Sequence, residues 1–231
     1  MHIAIIPARL ASKRVPKKNI KSFYGKPIIS YPISKILKSS IFDKIFVSTE
    51  SKEIARIAIK YGAQVPFLRD KRLSDDFTPT IPVIKNFITE LDNRDIIPKK
   101  KILSVCCVYP ANPFLQIKDL KKAYKIYNTK KYDYVFTAAE YSHPIDRAFY
   151  KKGNKSFYPN SNNIKKRTQD LNSYYHDAGQ FYIGQVSSWI NEKKIFSNKS
   201  EFIEINKLNY CDIDYKEDWD FALKLYKSKY K

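Results

Sequence analysis

Five cations crowd a short stretch near the amino terminus: Arg9, Lys13, Arg14, Lys17 and Lys18, within ARLASKRVPKKN at residues 8–19. Charges this close repel one another unless something anionic sits among them. A triphosphate meets that need, with Arg giving two-pronged contacts and Lys a point charge. Ser12 adds a hydroxyl and a backbone N–H. The same spacing also suits a solvated basic loop, and the loop alone does not choose. His143 and His176 are the residue type for a general base, but isolated histidines are more often structural, so neither is assigned a role. Cys106, Cys107 and Cys211 form no CxxC zinc pair and no disulfide framework. Glycines stand only at 25, 62, 153, 179 and 184, which excludes both GxGxxG and GxxxxGK.

The basic loop follows Ile3–Pro7, a nearly continuous apolar run of the kind a buried parallel strand shows. In an open parallel sheet, ligands bind at the carboxyl ends of strands, which puts this loop at a binding edge. A helix is expected over Pro27–Ser39, with Ile29, Ile33, Ile36 and Leu37 on one face. Pro32 does not suit a helix interior, so that helix should start late or bend. Lys44–Thr49 reads as the next strand. Ser51 caps a helix carrying Ile54, Ile57, Ala58 and Tyr61, closed by Gly62. A helix over Thr80–Asp92, a strand at Ile102–Val108, a helix marked by Leu120, Ala123, Tyr124 and Tyr127, and a strand at Tyr134–Ala138 follow. From 141 to 175 the pattern breaks into polar, aromatic, Asn-rich sequence. It resumes at Gln180–Gly184 and ends in a helix with Trp219, Ala222, Leu223 and Tyr226 in step. Alternating strands and helices imply an α/β fold, a mainly parallel sheet with helices on both faces.

The 231 residues carry 43 Lys+Arg against 23 Asp+Glu, a formal net charge of +20. Such a balance raises nucleic-acid binding as a rival function. The charge is spread along the whole chain, no nucleic-acid motif is present, and the richness in Lys, Ile, Asn, Tyr and Phe matches A/T-rich codons. The expectation is no specific nucleic-acid partner. No apolar run approaches the ~20 residues that span a bilayer. The start MHIAIIPARL is too short and too early charged for a secretion signal. The expected location is cytoplasmic, with no membrane partner.

Six blocks in order carry a family resemblance: IIPARLASKRVPKKNIKSFYGKPII, LRDKRLSDDFTPT at 68–80, VYPANPFLQ at 108–116, RTQDL at 167–171, YHDAGQFYIG at 175–184 and CDIDYKEDW at 211–219. Together they resemble the cytidylyltransferases that activate nine-carbon acid sugars, the CMP-sialic acid synthetase family. They are most similar to its branch that makes CMP-pseudaminic acid. The resemblance implies a Rossmann-like nucleotidyltransferase domain spanning 1–231, with 141–175 as a small dimerisation insertion and a homodimer as the assembly. It implies the reaction of CTP with pseudaminic acid to give CMP-pseudaminic acid and pyrophosphate, with Mg²⁺. Legionaminic and N-acetylneuraminic acid are the alternative sugars. A catalytically dead assembly partner is a third possibility, opposed by the intact Arg9, Lys18, Asp212 and Asp214.

The resemblance also implies roles. Arg9 and Lys18 match catalytic positions, where they neutralise charge building on leaving pyrophosphate. Ser12, Lys13, Asn19, Arg69 and Asp76 match nucleotide-binding positions. Leu10–Ala11 stands where many members have Gly-Gly. Tyr109, Asn112, Arg167, Gln169, Asp177 and Gln180 match positions facing the acid sugar. Tyr109 and Asn112 depart from the family's commoner Gln and Ser, which fits a sugar other than ordinary sialic acid. Asp212 and Asp214 match the metal aspartates, and oxygen ligands suit Mg²⁺. Alternation along a strand would put them on one side, with Ile213 on the other. Asp214 with Glu217 three residues on also resembles a helix capping box, so Asp214 is either ligand or cap. The base that deprotonates the sugar hydroxyl stays open.

Overall fold

Alternate residues of the first strand decide the layering. In β1 (His2–Pro7), Ala4 and Ile6 enter one core while Ile3 and Ile5 enter another, so the strand is apolar on both faces. The computed structural model describes residues 1–163 and 165–230. After β1 the chain forms a two-stranded hairpin, β2 (Ser22–Phe23) and β3 (Lys26–Pro27). Tyr24 and Gly25 both take positive φ at its turn, as a type I′ turn requires. Then come α1 (Ser30–Ser39), β4 (Lys44–Ser48), α2 (Lys52–Lys60), α3 (Thr80–Asn93), β5 (Ser104–Val108), α4 (Ile117–Tyr127) and β6 (Tyr134–Glu140). A second hairpin, β7 (Tyr150–Lys152) with β8 (Lys155–Phe157), precedes β9 (Tyr175–Gln185), α5 (Val186–Ile190), β10 (Ser200–Glu204) and α6 (Lys216–Tyr230).

The main sheet has the order β10-β6-β9-β5-β1-β4. Neighbours pair in parallel except β9, which runs antiparallel between β5 and β6. The sheet is therefore mainly parallel, as expected, with one reversed strand that periodicity does not reveal. Helices α1, α2 and α4 pack on one face with Ile33, Ile36, Ile54, Leu120 and Ala123. On the other, α3 and α5 pack with Ile84, Phe87, Leu91 and Trp189. Helix α6 builds a third cluster, with Trp219 and Ala222 against Phe23, Ile28 and Phe114.

Two helix expectations sharpen. Pro27 lies in the first hairpin and α1 begins at Ser30, so the late start is realised. Pro32 falls in the first turn, where a missing N–H leaves no intrahelical bond unmade. Leu37 is exposed rather than in line with the buried Ile33 and Ile36. Ser51 does cap α2, accepting from the Ile54 N–H at 3.3 Å.

Candidate active site

A cleft of about 680 Å³ opens at the carboxyl ends of β1 and β5, roofed by the segments 69–80 and 210–214. Of the residues given a catalytic, nucleotide, sugar or metal role from sequence, all line it except Arg167 and Gln169. Those two lie on the exposed 141–175 arm, where the Arg167 guanidinium bonds Asp170 at 2.8 Å.

The basic loop is held open by its own backbone and by acids. Asn19, buried, donates to the Arg9 carbonyl at 2.9 Å. Lys17 takes positive φ and turns the chain into a short 3-10 helix, Lys18–Ile20, that directs Lys18 into the cleft. Leu10 and Ala11 are not among the positive-φ residues, so the absence of glycine there brings no strain. The Leu10 N–H donates to Glu50 at 2.7 Å, and the other Glu50 oxygen takes the Arg69 guanidinium at 3.3 Å. Arg69 is 6% exposed, also donates to Ser74, and burial lowers its pKa against the opposing pull of Glu50. It braces the loop from behind as well as lining the cleft. Glu50 was not among the sequence candidates, although an acid just past a buried strand is a readable signal.

Four of the five cations sort onto two cleft carboxylates, while Lys17 pairs with Glu53 at 2.9 Å and does not line the cleft. Arg9 and Lys13 hold Asp76 at 2.5 and 2.7 Å. Lys13, then Arg9, keeps the Asp76 carboxyl below the usual range. Arg14 and Lys18 hold Asp214 at 2.9 and 3.3 Å, and Lys18 also donates to the Ile213 carbonyl at 2.5 Å. The 210–214 segment forms no strand, so the expected strand alternation is not what places the two aspartates, and Ile213 is buried. The Asp214 carboxylate thus faces Arg14 and Lys18 rather than the first N–H groups of α6, while Asp218, in the first turn of that helix, accepts the N–H groups of Asp214 and Tyr215 at 3.0 and 2.7 Å. Asp212 opens to solvent at the cleft, yet the surrounding walls, then Asp214, raise its carboxyl above the ordinary value. Among the described residues no cluster of three or more His, Cys, Asp or Glu stands ready for a metal. Two aspartates are nonetheless enough for an ion that completes its shell with phosphate oxygens and water.

Opposite the loop, β9 breaks register. Residues 178–181 bulge out against the single Thr137, and Gly179 takes positive φ there. The bulge turns Asp177 and Gln180 to the cleft. Asp177 accepts the Gly179 N–H at 3.0 Å and the Tyr182 hydroxyl. Tyr109 bonds Thr80 at 2.8 Å and meets Tyr182 edge to face. Burial pushes the Tyr109 phenol up to about 12, so it stays a neutral donor. Asn112 is buried, and Gln180 donates to the Asn209 carbonyl at 2.7 Å. Tyr182 and Thr80 were not foreseen, since an aromatic in a buried strand reads as core. His176 packs between Tyr141 and Tyr210 and bonds the Asp177 carbonyl, and His143 lies away from this cleft. Burial pushes the Cys211 thiol up to about 12, so it is no nucleophile at neutral pH.

One rim thus offers cations for phosphates, the far wall offers neutral and anionic hydrogen-bonding groups for a polyol, and two aspartates stand between. The sequence profile of the cytidylyltransferase family matches residues 3–230. The chain belongs to the cytidylyltransferase family. Its activity class is nucleotidyl transfer. Within the family it is 42% identical over 227 residues to a pseudaminic acid cytidylyltransferase of Campylobacter jejuni, covering 98% of this chain and 96% of that one. It is 31% identical to a CMP-N,N'-diacetyllegionaminic acid synthase of Legionella pneumophila, covering 96% and 95%. The fold of this cytidylyltransferase is that of a CMP:2-keto-3-deoxy-manno-octonic acid synthetase solved with CTP, with a TM-score of 0.71, 12% identity and 99% of both chains covered. No helix among the described residues is long and apolar enough to cross a membrane.

Proposed function

We infer that the protein transfers CMP from CTP to pseudaminic acid and releases pyrophosphate. The observation that carries the choice of sugar is the 42% identity, along nearly the whole chain, to a pseudaminic acid cytidylyltransferase. In the reaction the anomeric hydroxyl oxygen attacks the α-phosphorus. The bond from that phosphorus to the bridging oxygen breaks, and the hydroxyl proton passes to solvent.

The residues divide the work by chemistry. Arg9, Lys13 and Lys18, with the Ser12 hydroxyl, hold the triphosphate and meet the charge that grows on leaving pyrophosphate. Asn19 fixes the Arg9 backbone, and Arg69 with Glu50 fixes Leu10. Tyr109, Asn112, Asp177 and Gln180 bind the sugar across the cleft. Asp212 and Asp214 would hold Mg²⁺, with Arg14 and Lys18 keeping Asp214 turned to the cleft. The ion would draw charge from the phosphate oxygens.

The 141–175 arm serves as the dimerisation element, and Arg167 and Gln169 reach sugar only where two copies meet. Its support is the exposure of Phe149, Tyr150 and Tyr158, apolar surface that a two-fold contact buries. Dependence on CTP and the unpaired, buried Cys106 and Cys107 support a cytoplasmic location. Incubation with CTP, Mg²⁺ and a panel of nonulosonic acids, reading pyrophosphate, tests the function. Turnover is expected with pseudaminic acid. Preference for a legionaminic acid moves the assignment to that branch, and no turnover with any acid sugar overturns it.

A further inference from the structure

Asp76 occupies a place that belongs to a ligand. Its two oxygens take Arg9 and Lys13, the cations nearest β1, at 2.5 and 2.7 Å. It reaches them from across the cleft, on the segment between a 3-10 turn at Lys71–Leu73 and α3. That segment is shaped independently of the contact. Asp75 accepts the Phe77 N–H, the Thr78 N–H and the Thr78 hydroxyl at 3.0, 2.6 and 2.7 Å. The Asp75 carbonyl meets the same Arg9 nitrogen, Nη1, at 2.6 Å. Arg9 engages through that single nitrogen, so its two-pronged face is unspent. The ion pairs are water-exposed, with Lys13 83% exposed. Pairs of this kind are weak and readily exchanged. Arg69 with Glu50, by contrast, is enclosed and bonds other groups on both sides.

We propose that Asp76 is a built-in stand-in for phosphate, which pairs Arg9 and Lys13 in the ligand-free enzyme, yields them to the triphosphate and reclaims them to expel pyrophosphate. This rests on reading the cleft as a triphosphate site. A tethered carboxylate competes at high effective concentration. An anion with one phosphate displaces it poorly, whereas a triphosphate or pyrophosphate brings enough charge to do so. Asp76 is then a determinant of nucleotide affinity by opposition. That sign differs from the binding role its sequence position implies.

The test is calorimetry with pyrophosphate and with CTP on the full chain. Asp76→Asn keeps the shape, removes the charge, and sits on the surface where folding does not depend on it. It should bind both anions more tightly by about threefold or more, as loss of two exposed competing pairs allows. Pyrophosphate should inhibit the variant more strongly. Asp76→Ala should move the same way. Glu192→Gln, which removes an equal charge from the outlying pair with Lys85, should leave pyrophosphate affinity unchanged. Equal or weaker binding in both Asp76 variants overturns the proposal, as does tightening of the same size in Glu192→Gln or no pyrophosphate binding by any form. The two readings fail separately. Turnover of CTP with unchanged pyrophosphate affinity in Asp76→Asn sinks the exchange and leaves the reaction. Tighter pyrophosphate binding without turnover on any acid sugar does the reverse.

Discussion

The cleft and the 141–175 arm are both rich in polar and aromatic residues, but they are ordered by different means. In the cleft several groups are tied in place by hydrogen bonds to buried or half-buried neighbours. Glu50 bridges Leu10 and Arg69, Asn19 holds Arg9, and Tyr182 holds Asp177. In the arm, residues 147–160 are exposed. One buried acid, Asp146, gathers Asn160 and Asn163 at its base. Beyond it, Phe149 meets Tyr158 and Tyr150 stacks on Phe157 with little but solvent around them. The cleft is complete as a scaffold within one chain. The arm has pairing but no core, which a short hairpin needs from elsewhere.

The largest expected effect of one substitution is in the cleft. Asp212→Asn should cut turnover by at least about a hundredfold while the fold survives, because charge developing in the transfer loses its main local support. Asp170→Asn in the arm, which breaks only the exposed pair with Arg167, should cost less than about tenfold. Steady-state kinetics at limiting Mg²⁺ compares them. Equal losses would erase the distinction between the regions.

Replacing Phe149, Tyr150 and Phe157 together with Ser should convert a dimer to a monomer in sedimentation, with CTP binding retained. A wild-type chain that sediments as a monomer at every concentration ends the dimer reading of the arm.

Stability separates the regions through two glycines. A Cβ at Gly184 meets Tyr134 at 2.6 Å and the Trp189 indole nitrogen at 2.8 Å, so Gly184→Ala overpacks the core. It should lower Tm by roughly 2–12 °C, from about 1–3 kcal/mol. Gly153 turns the arm hairpin at φ +58 with nothing within 4 Å of the added carbon. Gly153→Ala pays only the left-handed backbone cost of about 1 kcal/mol, a smaller Tm shift.

A comparably small effect concerns α6. Asp218→Ala removes the acceptor for two N–H groups and should cost about 1 kcal/mol of stability. Its turnover should fall far less than that of Asp212→Asn. A comparable fall would tie the first turn of α6 to the chemistry.

Much of the scaffold was legible because burial on both faces leaves a direct trace. Ile3–Pro7 could be placed by its apolar run, α2 by Ser51 and its spaced apolar residues, and α3 by Ile84, Phe87, Ile88 and Leu91. The direction of β9 left no such trace, since a buried strand has the same composition whichever way it runs. Tyr182 was hidden for the same reason: its ring belongs to the core and only its hydroxyl belongs to the site.

The sequence by itself determined which groups are available: a run of cations after the first strand, two aspartates near the carboxyl terminus, and an aromatic segment that cannot bury itself. Those are matters of residue type and spacing, which the chain carries unfolded. Tertiary structure alone decided the pairing. It set Asp76 rather than Asp214 against Arg9 and Lys13, turned Asp214 to Arg14 and Lys18 rather than to the start of α6, and made Glu50 the link between Leu10 and Arg69. Such choices depend on angstrom-scale distances between segments up to some two hundred residues apart, as for Lys18 and Asp214. Coulomb and hydrogen-bond energies fall off over those few ångströms, so no local pattern can encode them.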